Sequence, residues 1–333
     1  MKHQKFEIPL GEPVRSLCWS GDLLMDWAGG NRVFHLGVPD TSRGRRVNWA
    51  YRFDAAVQSP SGRFAAIYER LGTKAIILDR GKMVREINRS FYHAHDYEFP
   101  IVLFNHPERG ELIAHCPDCC AQIEIEEIAT GNRLTKSPNR KPAEMFHSRL
   151  AVSPCQTELL SAGWVWHPLN MAWVWRIDEA LADPSVLDSE RQPSRACDCE
   201  ISSAAFIDEQ RILLTSSPKA EAFGNEKIPV FGPGHLAVFN LDSNIFETIS
   251  RIDEPIGNML WLGDGNIVSF YENPKVIEVK TGEVVFRWPD INTGKQDSSI
   301  IHHLGPPPPL AIDHVHKRFA VAAIDKITVI QFA

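Results

Sequence analysis

The sequence predicts an all-β fold, a seven-bladed β-propeller closed by its N-terminal strand, and three observations carry that prediction. Residues 55–87, AAVQSPSGRFAAIYERLGTKAIILDRGKMVREI, read as four short strands joined by three tight turns. The same pattern recurs seven times along the 333 residues. The seventh recurrence stops one strand short at Ala333, and an unassigned extended segment, residues 5–10, precedes the first.

Within residues 55–87, Val57 leads into a turn at Ser59-Pro60-Ser61-Gly62, and 64–68 is a strongly apolar run. A second run covers 74–78, and Asp79-Arg80-Gly81 turns the chain into 83–87. Each run has strand length and each break carries turn chemistry. The runs are too short, too rich in Val, Ile, Phe and Trp, and too often interrupted to make the 3.6-residue face of a helix.

Taking the apolar second strand as the anchor, the repeats are marked by Leu23, Phe64, Leu112, Leu159, Ile212, Ile267 and Phe319, in blades that begin near residues 14, 53, 99, 146, 201, 256 and 310. The spacing, roughly forty to fifty-five residues, suits a four-stranded blade with variable loops. Third strands follow at 32–36, 122–128, 172–177, 235–241, 275–279 and 326–332. Thr130-Gly131 and Thr281-Gly282 repeat the turn made by Asp79-Arg80-Gly81. An incomplete last blade would leave a bare strand edge, so residues 5–10 are expected to pair with it and close the ring.

Composition agrees with one domain over residues 1–333, since 44% hydrophobic residues supply cores between neighbouring blades. A net charge of -7 argues against nonspecific binding to nucleic acid or to an anionic membrane. The N-terminal MKHQKFEIPLGEP lacks the apolar core of a signal peptide, and no apolar run reaches the length of a membrane span. Seven cysteines, an odd number, fit a reducing compartment. The expectation is a cytoplasmic protein.

From about Val14 to Phe332, with the N-terminal strand added, the chain resembles the WD40-like class of seven-bladed propellers in architecture. Gly234-His235 is its one Gly-His pair, and it has no Trp-Asp dipeptide. The resemblance implies a rigid disc whose loops bind something, most often another protein.

Alternating strands sort the loops onto two faces: turns between second and third strands share one with the links between blades. The basic stretch Arg43, Arg45 and Arg46 falls on one face, and Lys136, Arg140 and Lys141 on the other. Two small opposed patches make no track for a phosphate backbone. The link face should carry His93, His95 and Asp96, the turn 115–120 with Cys116, Cys119 and Cys120, the link Cys197-Asp198-Cys199, and His302-His303. Cys116 and Cys119 have the spacing of two thiolate ligands to zinc, which His93 and His95 or further cysteines could complete. Against that stands the ordinary reading of buried, inert thiols.

Blade 4 carries the hairpin GWVWHPLNMAWVW, residues 163–175, in which Trp164 and Trp166 point to one side and Trp173 and Trp175 to one side. Core packing absorbs most such aromatics. Trp166, His167, Leu169 and Met171 lie at or beside the turn, where aromatic and Met side chains anchor partners, and form the candidate partner site. The long loop 217–234 adds Phe223 and Phe231 on the same predicted face, either exposed for recognition or folded over the central channel. The link 290–309 ends in Pro306 to Pro309, read as a stiff spacer, and DEALAD at 178–183 as a helical turn.

No Gly-x-Ser-x-Gly elbow, Walker A loop, His-Glu-x-x-His or dinucleotide fingerprint occurs, which argues against an enzyme. The favoured reading is a non-catalytic propeller that binds another protein one to one, as a scaffold or as a stoichiometric inhibitor or neutraliser of the immunity type, with no cofactor. Two alternatives stay open: a metal-dependent, lactonase-like hydrolase with its site in the central channel, and a small-ligand or metal sensor built on the His/Cys turns.

Overall fold

In blade 2 the two inner strands, Phe64–Tyr68 and Lys74–Asp79, are buried almost throughout, because a neighbouring blade covers each face of the sheet. That is why they read as continuous apolar runs where a one-sided strand would alternate. The outer strand, Lys82–Asn88, is mostly exposed and carries Lys82, Arg85, Glu86 and Asn88 beside the exposed Met83 and Val84. A bulge between Ile77 and Leu78 sits in the outer hairpin, and blades 5 and 6 repeat it at Val238/Phe239 and Val276/Ile277. Bulges sharpen strand twist, which lets the outer edge of a blade turn away from the ring axis.

The computed structural model describes residues 2–38, 47–197, 199–220 and 230–333. Among these, seven antiparallel sheets form a seven-bladed β-propeller. Four sheets have four strands, whereas blades 1, 3 and 4 have three regular strands among the described residues, where the sequence predicts four. In blades 3 and 4 single bridges occupy the outer position, Arg133 to Glu126 and Pro193 to Trp173. Arg133 and Gln192-Pro193 belong to segments rich in polar residues and proline, which cannot sustain a ladder.

Seven apolar clusters fill the seven gaps between adjacent blades. Met25 and Trp27 of blade 1 meet Ala65 and Ile67 of blade 2, for example, and Leu112 and Ile125 of blade 3 meet Leu159, Trp173 and Trp175 of blade 4. The last gap is closed by Ile8, Leu24, Phe34, Ala320 and Val329, which join blade 7 to blade 1. The N-terminal strand, His3–Pro9, pairs antiparallel with Lys326–Phe332, in register from His3 opposite Phe332 to Pro9 opposite Lys326. The ring is thus closed by its two chain ends, the strand beginning two residues before the expected position. The expected helical turn after blade 4 is the α-helix Ile177–Ala182.

The link from blade 6 to blade 7 crosses one face of the disc. Gly294 bridges to Glu272 of blade 6, Ile300 bridges to Tyr97 before blade 3, and the Ser299 N–H and hydroxyl both donate to Asn170 Oδ1 of blade 4, at 3.2 and 2.8 Å. Blades 6 and 3 are not neighbours, so a segment tied to both must pass over the axial channel.

Candidate functional site

The tryptophan hairpin of blade 4 joins two eight-residue strands, Glu158–Val165 and Leu169–Arg176. Trp173 and Trp175 face the gap between blades 3 and 4 and are buried there. Trp164 is buried elsewhere, with its ring stacked on Phe146 at 3.9 Å and an interplanar angle of 6°. The two residues also exchange backbone hydrogen bonds: the Phe146 N–H donates to the Trp164 carbonyl at 2.8 Å, and the Trp164 N–H to the Phe146 carbonyl at 3.1 Å. Gly163 makes the approach possible, since a Cβ there would lie 2.1 Å from the Phe146 carbonyl oxygen. Tyr97 completes this buried floor, edge-on to Phe146 at 5.6 Å.

Two aromatic side chains stand on the floor. Trp166 sits edge-on to Phe146 and Trp164, at 5.3 Å from each, and to His93 at 5.0 Å, yet 42% of it is exposed. Tyr92 stacks on Phe146 at 5.9 Å and is 49% exposed. Phe91, next in the chain, is 85% exposed. His167, at the hairpin tip, has φ of 108°, a left-handed conformation that a non-glycine residue adopts only when its surroundings impose it.

The segment that bears Phe91 and Tyr92 is pinned from below. The buried Arg89 guanidinium donates to the carbonyls of Gly72, Glu98, Ala94 and Tyr97 at 2.8, 3.1, 2.6 and 2.9 Å, and lies 4.6 Å from the centre of the Tyr97 ring. Burial pushes its pKa down from the ordinary arginine value. Carbonyls that would otherwise be orphaned in a linker are satisfied by one side chain. The exposed aromatics therefore project from a fixed base.

Beside them Asp96 gathers three imidazoles. His93 Nδ1 lies 2.6 Å from its Oδ2, and His95 Nε2 and His302 Nδ1 each lie 3.3 Å from its Oδ1. His302 arrives on the crossing link, so the fold unites groups more than two hundred positions apart. The expected zinc set is distributed differently. Cys116 is buried in the core between blades 3 and 4, where burial raises its thiol well above the ordinary value, while Cys119 is exposed. Burial likewise pushes Cys120 up to about 11. Among the described residues no three His, Cys, Asp or Glu groups are arranged to hold a metal ion.

The other expected site residues divide. His167 is exposed beside Trp166, and Leu169 is half-buried opposite Val165. Met171 is half-buried against the core between blades 3 and 4. Phe231 is fully buried between blades 4 and 5, stacked on Phe246 at 5.6 Å, so its role is packing and it offers no surface to a partner. Phe223 lies outside the described residues, as do Arg43, Arg45 and Arg46. Arg140 is no part of a basic patch: its buried guanidinium pairs with Asp188 at 2.7 Å. Phe91, Tyr92 and Phe146 were not among the expected residues. The signal available was an aromatic pair in a link predicted on the same face as the tryptophan hairpin.

No protein-family profile and no curated protein matches the sequence. Among solved structures, the chain is similar to the crystal structure of BamB from Moraxella catarrhalis, with a TM-score of 0.52 and 12% identity over 100% of this chain and 98% of that one. At that identity the likeness supports the propeller fold and nothing finer.

Proposed function

We propose that the protein is a non-catalytic propeller that binds another protein one to one through the patch made by Phe91, Tyr92 and Trp166. The observation that carries this reading is exposed aromatic area mounted on a buried, hydrogen-bonded base. Rigid aromatics lose little conformational entropy on docking and dominate interface energies, and large apolar groups held in water mark interaction sites. His93 and the Asp96 cluster form a polar border on one side of the patch, as a partner interface requires around its apolar centre. Under this reading the protein acts by occupying or aligning its partner, as a scaffold or a stoichiometric inhibitor, and uses neither nucleic acid nor membrane.

Capture of the tagged full chain from its native cells, with quantitative mass spectrometry of co-purifying chains, tests the reading. One chain near equimolar amount supports it. A preparation free of any near-stoichiometric chain argues against it.

A further inference from the structure

A second feature lies on the same face, in the sector of blades 7, 1 and 2. A half-open cavity of about 1110 Å³ lies between these blades and the crossing link. Its walls include the apolar side chains of Val14, Phe53, Leu71, Ile301, Leu304 and Ile324. Pro306 to Pro309 close one side. The wall they make is fixed at both ends: Pro307 and Pro308 lie against Gly294, and the Ala322 N–H donates to the Pro309 carbonyl at 2.9 Å. Preformed apolar cavities of several hundred to about a thousand cubic ångströms are the usual size of small-ligand sites.

Charge at the mouth identifies the ligand class. Of the acidic groups there, Asp290 pairs with Lys5 at 2.7 Å, while the Asp54 carboxylate accepts the Arg70 backbone N–H at 2.7 Å and keeps its charge. Three cations are engaged too, Arg70 by Glu98, Lys295 by Glu272 and Lys326 by Glu7. Arg15 and Arg52 are exposed, and among the described residues neither guanidinium has a carboxylate partner. Two guanidinium groups without a carboxylate partner, against the single unpaired carboxylate of Asp54, leave the lining of this apolar cavity net positive in a chain of net charge -7, which favours an anionic group on an apolar body.

We infer that this cavity binds a small amphiphilic anion, its apolar body under the proline wall and its carboxylate or sulfonate between Arg15 and Arg52. The site is separate from the aromatic patch, and the inference does not depend on a protein partner.

The test is fluorescence titration of the full chain with 1-anilinonaphthalene-8-sulfonate, followed by competition with laurate and with dodecyltrimethylammonium, all below micellar concentrations. The expected result is saturable one-to-one binding that laurate displaces and the cationic analogue does not. R15E/R52E, both at exposed positions, should weaken binding at least tenfold, and Ala323→Trp, which fills the cavity from an exposed position, should abolish it. Circular-dichroism melting confirms that each variant is folded, and the double arginine variant alone carries the test if Ala323→Trp is not. Binding that is unsaturable, indifferent to R15E/R52E, or equally displaced by the cation would overturn the inference.

Discussion

Phe146 and Trp164 are joined twice, by parallel rings 3.9 Å apart and by a reciprocal pair of backbone hydrogen bonds. Phe146 comes from the link into blade 4 and Trp164 from its second strand, so this contact converts a linker into part of the sheet. Trp164→Ala is expected to cost about 3–5 kcal/mol, the range for deleting a buried large aromatic. Trp164→Phe should cost less than about 1.5 kcal/mol, because it keeps a ring in the stack and removes an indole N–H that has no partner among the described residues. Gly163→Ala should be at least as damaging as Trp164→Phe, since its methyl group meets a backbone carbonyl. Chemical denaturation of the three variants checks the order, and a Trp164→Ala variant as stable as wild type would show that the stack does not support the fold.

Arg89 is expected to hold the aromatic link through its carbonyl bonds. Arg89→Lys keeps the charge but loses the planar fork that reaches several carbonyls at once. Hydrogen exchange at residues 90–97 should accelerate at least tenfold in this variant, with exchange in blades 5 and 6 unchanged. Uniform acceleration over the whole ring would mean that Arg89 serves global stability.

Protonation of His147 should draw stability away as the solution is made mildly acidic. The ring is fully buried, with Nδ1 3.0 Å from Ser161 Oγ and Nε2 3.1 Å from the Ala121 carbonyl, and burial pushes its pKa down from 6.5 to about 3. Between those values the unfolded chain binds a proton that the folded chain does not. The contribution is complete above about pH 6.5 and is lost progressively as pH falls towards about 3, reaching about 2 kcal/mol at pH 5. Glu158, raised by burial to about 7, contributes with the opposite sign over pH 4.5 to 7. The decisive quantity is therefore the stability difference between wild type and His147→Gln, which should move against wild type by about 2 kcal/mol from pH 7 to pH 5. Parallel curves would contradict the assignment.

Ring closure depends on the N-terminal strand, in which Ile8 is completely buried between blades 7 and 1. Ile8→Asp places an unpaired carboxylate in that core and should lower stability by at least about 3 kcal/mol. Removal of residues 1–9 should also expose the edge of Lys326–Phe332 and promote association, visible by light scattering. A truncated chain that stays monomeric with unchanged melting would show that the ring does not need this closure.

The architecture was legible because each blade carries its own local signals. Turns such as Asp79-Arg80-Gly81 and Thr281-Gly282 punctuate strand-length apolar runs, and a missing final strand points to the chain start. The patch was only half legible. The hairpin that places Trp166 is local, but Tyr92 reaches Phe146 only through the tertiary fold, from a link two blades' worth of sequence away from the hairpin. Phe231 misled for a related reason: proximity to a long loop suggested exposure, whereas stacking on Phe246 draws it into the core. The gathering of His302 with His93 and His95 around Asp96 rests on a crossing link whose path no periodicity encodes.

The most direct test of the central claim compares wild type, Phe91→Ala, Trp166→Ala and the double variant in affinity for the captured partner and in melting temperature. Phe91 is almost wholly exposed and Trp166 keeps its floor beneath it, so binding should weaken by about 1–3 kcal/mol per site while Phe91→Ala melts as wild type does. Unchanged affinity in the double variant, with the fold intact, would contradict the assignment of this patch as the partner surface.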